Sequence, residues 1–508
     1  MGSRPNVVLI VTDNQSADSL GCYGNVEHET PRIDRLAREG VRFDRAFCTN
    51  GTCSPTRASI LTGLMPSRHG VHLAIPDDPP LAKPADYDVT RPFPSLPWVL
   101  REHGYRTAMV GKWHLGNPTC PGKGFEHWVA LTKGHTSDFY DNEVVTGGRV
   151  SRVRDVHIVD HFTDEAVAWL EAQDGREPFF LQVNYDGPYV LPPTIVGPDR
   201  RNPHYARFEG RTFRPFPPID PAIVASLILP FDPDLDPREE YTLASAVNNA
   251  WWMVRAHNDP ATRANVAAQN ALVDAAVGRV LDALEVRGLA DGTVVVLTTD
   301  QGNPYGQHGL WGHPVLTDPP FMHDITFRVP LVVRYPPTVP SYRACDRVVS
   351  HVDLLPTLLE LAGIEGVTVP GSPGRSLVPL LRGDAGADWV DEAYYEVETA
   401  RTVRTPTHRF TRHLEGTGSD ELYDLVVDPD QRRNVAGDPA RAAIVADLAG
   451  RIERFWHRYS DPRYDLWNGG TAQGMVSRYL RFRERYGPAW DVTLDVDDPP
   501  PPVPAPGG

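Results

Sequence analysis

Residues 6–14 read NVVLIVTDN, an apolar run that ends in an aspartate and an asparagine. A strand that is buried on both faces is apolar at successive positions, as strands of parallel sheets are. Residues 293–301, TVVVLTTDQ, repeat the pattern and end in an aspartate and a glutamine. Ligands of open parallel sheets bind beyond the carboxyl ends of the strands. These two stretches therefore predict a buried parallel sheet with polar side chains gathered at one edge.

Helix and strand patterns alternate along the rest of the chain. Thr30 and Pro31 open a helix over PRIDRLARE that Gly40 ends, and the strand VRFDRAF follows. Further strands over YRTAMV, PFFLQVNYD and VPLVVRYP alternate with helices over LPWVLREH, residues 265–286 and VDLLPTLLELAG. The alternation predicts an α/β fold with a large, mainly parallel sheet flanked by helices.

The chain changes character towards its end. We expect a catalytic α/β domain over residues 1–382, interrupted at about 191–259 by an insertion rich in proline, arginine and aromatic residues. Short alternating segments such as EAYYEVE and HRFTRHL predict a smaller C-terminal α+β unit with an antiparallel sheet over residues 383–460. Residues 461–508 form an extension whose proline-rich end predicts an extended or disordered tail.

The overall charge narrows the possible partners. The 508 residues include 50 lysines and arginines against 66 aspartates and glutamates, a formal net charge of −16. This charge argues against nucleic acid or an acidic membrane as a partner, because either would be repelled. The first apolar run is too short for a signal peptide and no other segment is long enough to span a membrane. The sequence therefore predicts a cytoplasmic protein, and an anionic substrate would need a locally positive pocket.

The five cysteines are scattered along the chain without a C-x-x-C pair, which argues against a disulfide framework and against a zinc site. They are Cys22, Cys48, Cys53, Cys120 and Cys345. Cys53 lies in NGTCSPTRASILTG, residues 50–63, where we expect a helix with Ser54 as N-cap, Pro55 in the first turn and Gly63 at the end. A helix N-terminus attracts anions and lowers the pKa of a thiol. An ordinary buried cysteine fits the same local sequence equally well.

Seven polar residues follow predicted strands and fall at the ligand-binding edge of the sheet. They are Asp13, Asn14, Lys112, His114, Asp186, Asp300 and Gln301. The oxygens of Asp13, Asn14, Asp300 and Gln301 suit Ca²⁺ or Mg²⁺ better than a thiophilic metal. Each alone is more often a cap or turn residue.

Cys53 to Arg57 read C-S-P-T-R and continue as ASILTG. This stretch resembles the signature of the sulfatase family, which has the alkaline-phosphatase-like fold. The resemblance extends from Pro5 to about Ala436 through RPNVVLIVTDNQSADSLGCYG, GKWHLG, TTDQGNPYGQHGLWG, FRVPLVVRYP, HVDLLPTLLELAG, GRSLVPLLRGD and ELYDLVVDPDQRRNVA. It implies a sulfuric ester hydrolase of the arylsulfatase type, which acts on a small-molecule or saccharide sulfate ester.

The resemblance also implies roles for single residues. A separate formylglycine-generating enzyme oxidises the motif cysteine, so Cys53 would become a formylglycine whose hydrated aldehyde is the nucleophile. Asp13, Asn14, Asp300 and Gln301, with position 53, would hold one divalent cation, expected to be Ca²⁺ with Mg²⁺ or Mn²⁺ as alternatives. Arg57 would stabilise the formylglycine, Lys112 would bind the sulfate, and His114 would orient or deprotonate the second hydroxyl.

Four positions depart from the family pattern. Asn14 stands where a second aspartate is usual, and Gln301 where asparagine or histidine is usual, so the metal could be bound more weakly or be a different ion. Tyr189 stands in place of a histidine that contacts sulfate, and His313 in place of a lysine. We hypothesise that His313 protonates the leaving alcohol as a general acid. A loop histidine without a role is the competing interpretation.

Two further functions and one candidate lid stay open at this point. A phosphodiester or phosphonate monoester hydrolase would use the same scaffold, and a binding protein could have kept the fold without turnover. In the insertion, Arg200, Arg201, Arg207, Arg211 and Arg214 lie among Tyr205, Phe208 and Phe213. This segment could be a lid over an anionic substrate or a solvated surface loop. The sequence does not give the oligomeric state.

Overall fold

The computed structural model describes residues 4–75, 86–191, 194–220, 251–384 and 388–493. Part of the predicted insertion and the predicted proline-rich tail from residue 494 onwards lie outside the described residues. Within them, no helix is long and apolar enough to cross a membrane.

The main sheet has eleven strands among the described residues. They are β1 (Asn6–Asp13), β2 (Val41–Phe47), β3 (Arg106–Gly111), β4 (His127–Leu131), β5 (Asp141–Thr146), β6 (Arg149–Arg154), β7 (Phe179–Pro188), β8 (Thr293–Thr299), β9 (Arg328–Val329), β10 (Leu331–Arg334) and β11 (Arg343–Ser350). The order across the sheet is β11-β2-β10-β8-β1-β7-β3-β4-β5-β6, and β9 pairs with β2. The central strands β8, β1, β7, β3 and β4 are parallel. The prediction of a mainly parallel sheet is confirmed.

Strand β10 runs antiparallel to its neighbours β8 and β2. The apolar run of residues 331–334 predicts a buried strand but does not specify its direction. Strands β5 and β6 add an antiparallel hairpin at the far edge.

Helices cover both faces of the sheet. Their bounds are α1 (Pro31–Glu39), α2 (Cys53–Thr62), α3 (Pro66–His69), α4 (Leu96–Glu102), α5 (Ile158–Glu171), α6 (Pro260–Val286), α7 (Asp324–Phe327), α8 (Leu354–Leu361), α9 (Val378–Arg382), α10 (Ala442–Tyr459) and α11 (Tyr479–Tyr486). In β1, Val7 and Leu9 join the apolar cluster that includes residues of α2, α4 and α8. Val8 and Ile10 join a second cluster, with residues of α1, α5 and α6. Both faces of β1 are therefore buried, which explains its uninterrupted apolar sequence.

Helix α6 begins before the predicted position 265. Asp259 is its N-cap, because the carboxylate accepts a hydrogen bond from the Thr262 N–H at 2.8 Å, and Pro260 lies in the first turn. Asp and Pro at these positions are ordinary helix-start signals. The predicted start missed them because it followed the apolar positions alone.

A four-stranded antiparallel sheet follows in the C-terminal part. Its strands β12 (Ala393–Val397), β13 (Ala400–Arg404), β14 (His408–His413) and β15 (Glu421–Asp424) pair in chain order. Leu448, Ile452 and Trp456 of α10 pack in one apolar cluster with residues of this sheet. The predicted antiparallel unit is confirmed, while the domain boundaries at 382 and 460 stay predictions.

Candidate active site

Helix α2 brings Cys53 to the carboxyl end of the central strands. The helix begins at Cys53, and Thr52 with its extended backbone is the N-cap. The prediction of Ser54 as N-cap is wrong, because Ser54 lies inside the first turn and its hydroxyl donates to the His114 carbonyl oxygen at 2.7 Å. Gly63 ends the helix with a positive φ of 68°, as predicted. Cys53 is buried in the first turn, with 3% of its surface exposed.

The environment of Cys53 does not activate the thiol. Burial raises its pKa above the ordinary value; the cations of Lys112 and Arg57 lower the pKa, and the carboxylates of Asp13 and Asp300 raise it further. The expectation of a lowered thiol pKa is wrong for this chain, because removal from water outweighs the helix N-terminus and the two cations. Without a bound cation, burial therefore favours the protonated thiol of an unmodified Cys53.

Three potential ligand atoms meet at this point. One atom from each of Asp13, Cys53 and Asp300 lies within 4.8 Å of the other two. The Cys53 Sγ lies 4.0 Å from Asp13 Oδ1, and the Asn14 N–H donates to Asp300 Oδ1 at 3.2 Å. Asp13 and Asp300 end neighbouring strands, since the Asp300 N–H donates to the Thr12 carbonyl at 3.1 Å. The structure thus brings together residues from three distant parts of the sequence.

Two amide side chains complete a set of hard oxygen donors. The Asn14 amide nitrogen donates to Asp13 Oδ1, and the Gln301 amide nitrogen donates to Cys53 Sγ at 3.3 Å. The amide oxygens, Asn14 Oδ1 and Gln301 Oε1, are both buried without a hydrogen-bond partner. Buried acceptors are normally satisfied, so two orphaned oxygens beside two carboxylates call for a ligand. Oxygens in this arrangement fit Ca²⁺ or Mg²⁺.

Two buried cations cross-link the same strand ends. Arg57 Nε donates to Asp300 Oδ2 at 2.9 Å, and its Nη2 lies 3.4 Å from Asp13 Oδ2. Lys112 Nζ donates to Asp13 Oδ2 and lies 3.7 Å from Asp186 Oδ1. Burial alone would lower the pKa of Lys112, but Asp13 and the neighbouring acidic groups raise it above the ordinary value. Lys112 is thus a buried, permanently charged cation.

The charges of this cluster do not balance. Three carboxylates, of Asp13, Asp186 and Asp300, face the two cations of Lys112 and Arg57. Burial raises the pKa of Asp300 and raises that of Asp186 to about 7. The pKa of Asp13 is instead lowered, because Lys112 and Arg57 outweigh its burial. When all three carboxylates are ionised the net charge is −1, and a divalent cation would change it to +1, which suits an anionic substrate.

The remaining predicted site residues surround this cluster. The Tyr189 N–H donates to the Asp13 carbonyl at 3.2 Å, and its ring lies 5.3 Å from Lys112 Nζ. His114 Nε2 is hydrogen-bonded to the Ile75 carbonyl at 3.0 Å.

His313 also lies against the active-site helix. Its Nδ1 is 3.0 Å from the carbonyl oxygen of Gly51, two residues before Cys53. Burial lowers the pKa of His313 to about 4. At neutral pH the ring is therefore neutral, with its hydrogen on Nδ1 towards Gly51.

The sequence reasoning gave no role to Asp186 and missed the segment that contacts it. Asp186 Oδ2 accepts a hydrogen bond from the Thr136 N–H at 2.8 Å. Thr136 belongs to residues 132–138, which follow β4 at the ligand-binding edge. The loop could have been found from the apolar strand over residues 127–131. A parallel strand at that position brings the loop that follows it to the ligand-binding edge of the sheet.

The arginines of the predicted lid pair with nearby acids. Arg207 and Arg211 contact Glu29, Arg200 pairs with Glu209, and Arg201 pairs with Asp138. These side chains are exposed to solvent, so the contacts resemble ordinary surface ion pairs. The lid stays a prediction.

Comparison with known proteins gives concordant results. A sulfatase family model matches residues 5–364, and a model of the C-terminal part of N-sulphoglucosamine sulphohydrolase matches residues 306–458. The N-acetylglucosamine-6-O-sulfatase of Bacteroides thetaiotaomicron is 29% identical over 90% of this chain and 87% of that protein. The multifunctional alkaline phosphatase superfamily protein PehA of Trinickia caryophylli is 27% identical over 94% of this chain and 99% of that protein.

A solved structure in complex with its substrate D-glucosamine-2-N,6-O-disulfate is also similar. It has a TM-score of 0.72 and 26% identity, and covers 90% of this chain and 98% of its own. The fold, the edge cluster and the family model that spans residues 5–364 agree. The chain belongs to the sulfatase family of sulfuric ester hydrolases.

Proposed function

We propose that this protein hydrolyses the sulfate ester of a saccharide, through a formylglycine formed from Cys53 by a formylglycine-generating enzyme. Asp13, Asn14, Asp300 and Gln301, with position 53, hold one divalent cation, for which we expect Ca²⁺. Two relatives support the substrate class, because one is named for a sulfated sugar and the other is in complex with one.

One observation carries the proposal. Asp13, Cys53 and Asp300 have mutually close ligand atoms, and Asn14 and Gln301, which contact Asp13 and Cys53 through their amide nitrogens, carry orphaned amide oxygens. These groups form a cation site that includes position 53.

The reaction needs two steps at position 53. One hydroxyl of the hydrated aldehyde loses its proton and attacks sulfur, the sulfur–oxygen bond to the alcohol breaks, and the alcohol leaves with a proton. The second hydroxyl then loses its proton, the carbonyl forms again, and the carbon–oxygen bond to sulfate breaks. Water hydrates the aldehyde and completes the cycle. When bound, the cation would supply Lewis-acid polarisation at position 53.

The residues around position 53 have separate roles in this reaction. Lys112 binds the sulfate oxygens with its fixed positive charge, and Arg57 holds Asp13 and Asp300 in place and stabilises the formylglycine. His114 orients or deprotonates the second hydroxyl. Tyr189, which lies over Lys112, limits the space beside the sulfate.

His313 is our candidate for the general acid, although its lowered pKa leaves the free ring neutral. The anionic ester would have to raise that pKa on binding. We expect His313→Ala to slow hydrolysis of sugar sulfates, which have poor leaving groups, by roughly 100-fold or more. An aryl sulfate with a good leaving group should be slowed much less. His313→Gln keeps a hydrogen-bond donor towards Gly51 but transfers no proton, so it should behave as the alanine variant does. Equal losses of activity on both substrates would contradict the role of His313 as general acid.

The direct test is mass spectrometry of the tryptic peptide that contains Cys53, after co-expression with the formylglycine-generating enzyme. We expect an aldehyde at position 53 and turnover of a sulfated sugar that stops on chelation and returns with Ca²⁺. Cys53→Ala is the matched control. An intact thiol would support the alternative of a non-catalytic binding protein.

A phosphodiester or phosphonate monoester hydrolase is the second candidate function. Its supporting observation is the 27% identity to the multifunctional protein of the alkaline phosphatase superfamily, over 94% of this chain. Parallel assays with aryl sulfate and aryl phosphodiester discriminate the two, since the higher kcat/KM identifies the native reaction.

Cytoplasmic location stays a prediction, which cell fractionation tests.

A further inference from the structure

Residues 132–138, which we call the β4 loop, approach the candidate active site from a side that has no assigned role. Strand β4 is parallel to β3, and Leu131 ends it at the same edge as Lys112. The loop therefore continues directly into the space above the sulfate-binding lysine.

The β4 loop is held in place by polar contacts. The Thr136 N–H donates to Asp186 Oδ2 at 2.8 Å, and the Thr136 hydroxyl lies 2.6 Å from the Asp138 carbonyl and 2.6 Å from Asn142 Oδ1. Thr136 itself is buried. Asp186 also lies 3.7 Å from Lys112 Nζ, so the anchor of the loop is part of the charged cluster.

Gly134 brings the loop backbone against a site histidine. A Cβ at position 134 would lie 2.2 Å from Nε2 and 2.2 Å from Cδ2 of His114. No other residue type fits there without displacing the His114 ring. The next residue, His135, is consequently fixed close to His114.

His135 is an exposed residue whose ring lies beside two buried rings. Its imidazole stacks on Tyr189 at 5.4 Å between ring centroids, with 20° between the planes, and lies 6.5 Å from the His114 ring. Tyr189 and His114 are buried, whereas His135 is exposed. Lys112 Nζ lies 5.3 Å from the same Tyr189 ring. His135 therefore lies at the rim of the candidate active site, and the Tyr189 ring lies between it and Lys112, the proposed sulfate-binding lysine.

We propose that His135 contacts the alcohol part of the substrate and determines which sulfate esters the enzyme prefers. The inference rests on the proposed function, because it takes Lys112 as the sulfate site. An imidazole packs its flat face against the carbon face of a sugar, and its ring nitrogens exchange hydrogen bonds with sugar hydroxyls. The fixed loop gives this contact a defined position, so little ordering is needed on binding.

The experiment compares His135→Ala with the wild type, both carrying formylglycine. The substrates are the best sugar sulfate from a panel of sulfated monosaccharides and a small aryl sulfate. We expect KM for the sugar sulfate to rise about tenfold, as for one lost hydrogen bond with its packing. The aryl sulfate, which does not reach the rim, should keep its kcat/KM. His135→Phe, with a ring but no nitrogens, should recover part of the KM, and Lys133→Ala in the same loop should leave both substrates unchanged.

Two outcomes overturn the inference while leaving the proposed function intact. They are an unchanged KM for the sugar sulfate and equal losses on both substrates. A wild type that cleaves the aryl sulfate but none of the sugar sulfates contradicts both the inference and the proposed saccharide substrate. A wild type that cleaves no sulfate ester contradicts the proposed function itself, and the role of His135 falls with it.

Discussion

Replacing Arg57 with alanine tests the charge balance at the strand ends. The guanidinium lies 2.8 Å from Asp300 Oδ2 and 3.4 Å from Asp13 Oδ2, and all three side chains are buried. Its removal leaves Lys112 as the one cation beside three carboxylates in this cluster. Removing one partner of a buried ion pair costs about 3–5 kcal/mol, because the other partner stays buried without compensation. We expect the free energy of unfolding to fall by that amount in the metal-free protein.

The assay is urea unfolding followed by tryptophan fluorescence, with chelator and with excess Ca²⁺. A bound divalent cation neutralises the carboxylates that Arg57 no longer faces, so Ca²⁺ should recover about 1–3 kcal/mol of the deficit beyond its effect on the wild type. The matched control is Arg401→Ala. Arg401 is also buried and pairs with Glu396 and Asp465, but it lies in the antiparallel sheet. Its deficit should not respond to Ca²⁺.

Two results would refute this reasoning. A deficit of Arg57→Ala below about 1 kcal/mol in chelator, the usual value of a surface pair, would mean that the carboxylates are not buried against it. An equal response of both variants to Ca²⁺ would mean that the cation binds elsewhere. Arg57→Lys keeps the charge without the two-pronged contact and should lie between the wild type and the alanine variant.

Three further predictions concern the metal, a helix start and pH. Asn14→Asp exchanges an orphaned amide oxygen for a carboxylate, which binds Ca²⁺ more strongly. The Ca²⁺ dissociation constant measured by calorimetry should therefore fall roughly tenfold or more. An unchanged constant would count against Asn14 as a ligand. Asp274 accepts hydrogen bonds from the N–H groups of Arg32 and Ile33 at the start of α1. In urea titrations, Asp274→Ala should therefore lower the free energy of unfolding by about 1–2 kcal/mol, and Asp274→Asn should lower it less. Burial lowers the pKa of His351 from 6.5 to about 3, so the unfolded chain binds the proton more readily and stability is lost as pH falls through this window. His351→Gln should reduce the slope of unfolding free energy against pH by about 1.4 kcal/mol per unit, and an unchanged slope would contradict the buried neutral ring.

The central fold could be predicted because its strands are buried on both faces. Residues 7–11 of β1 and 294–297 of β8 all belong to one of the two apolar clusters on either face of the sheet, so these stretches are apolar without interruption. The polar residue that follows each strand then falls at one edge, which is why Asp13 and Asp300 could be paired from sequences far apart in the chain. The antiparallel C-terminal sheet was predictable from a different pattern, the short segments of alternating residues.

The parts that could not be predicted depend on tertiary burial. The helix signal at residues 53–55 is real, but Ser54 is drawn into a bond with the His114 carbonyl, so the cap moves to Thr52. The thiol pKa is set by the depth of Cys53 and not by its position on the helix. The β4 loop has no motif of its own, and it reaches the site through the bond from Thr136 to Asp186 and through the contacts of Gly134 and His135 with His114 and Tyr189.

Asn14 and Gln301, the proposed neutral ligands, fit the rest of the cluster when charge is counted. With Asn14 neutral and all three carboxylates ionised, the three carboxylates and two cations leave a charge of −1, which a divalent cation would change to +1. With an aspartate at position 14, the same site with its cation would be neutral. On the proposed metal site, the amide would thus give up some attraction for the metal and keep a positive pocket for an anionic ester, in a chain whose overall charge of −16 would otherwise repel it. Local charge at the strand ends, and not the overall charge, decides what this protein can bind.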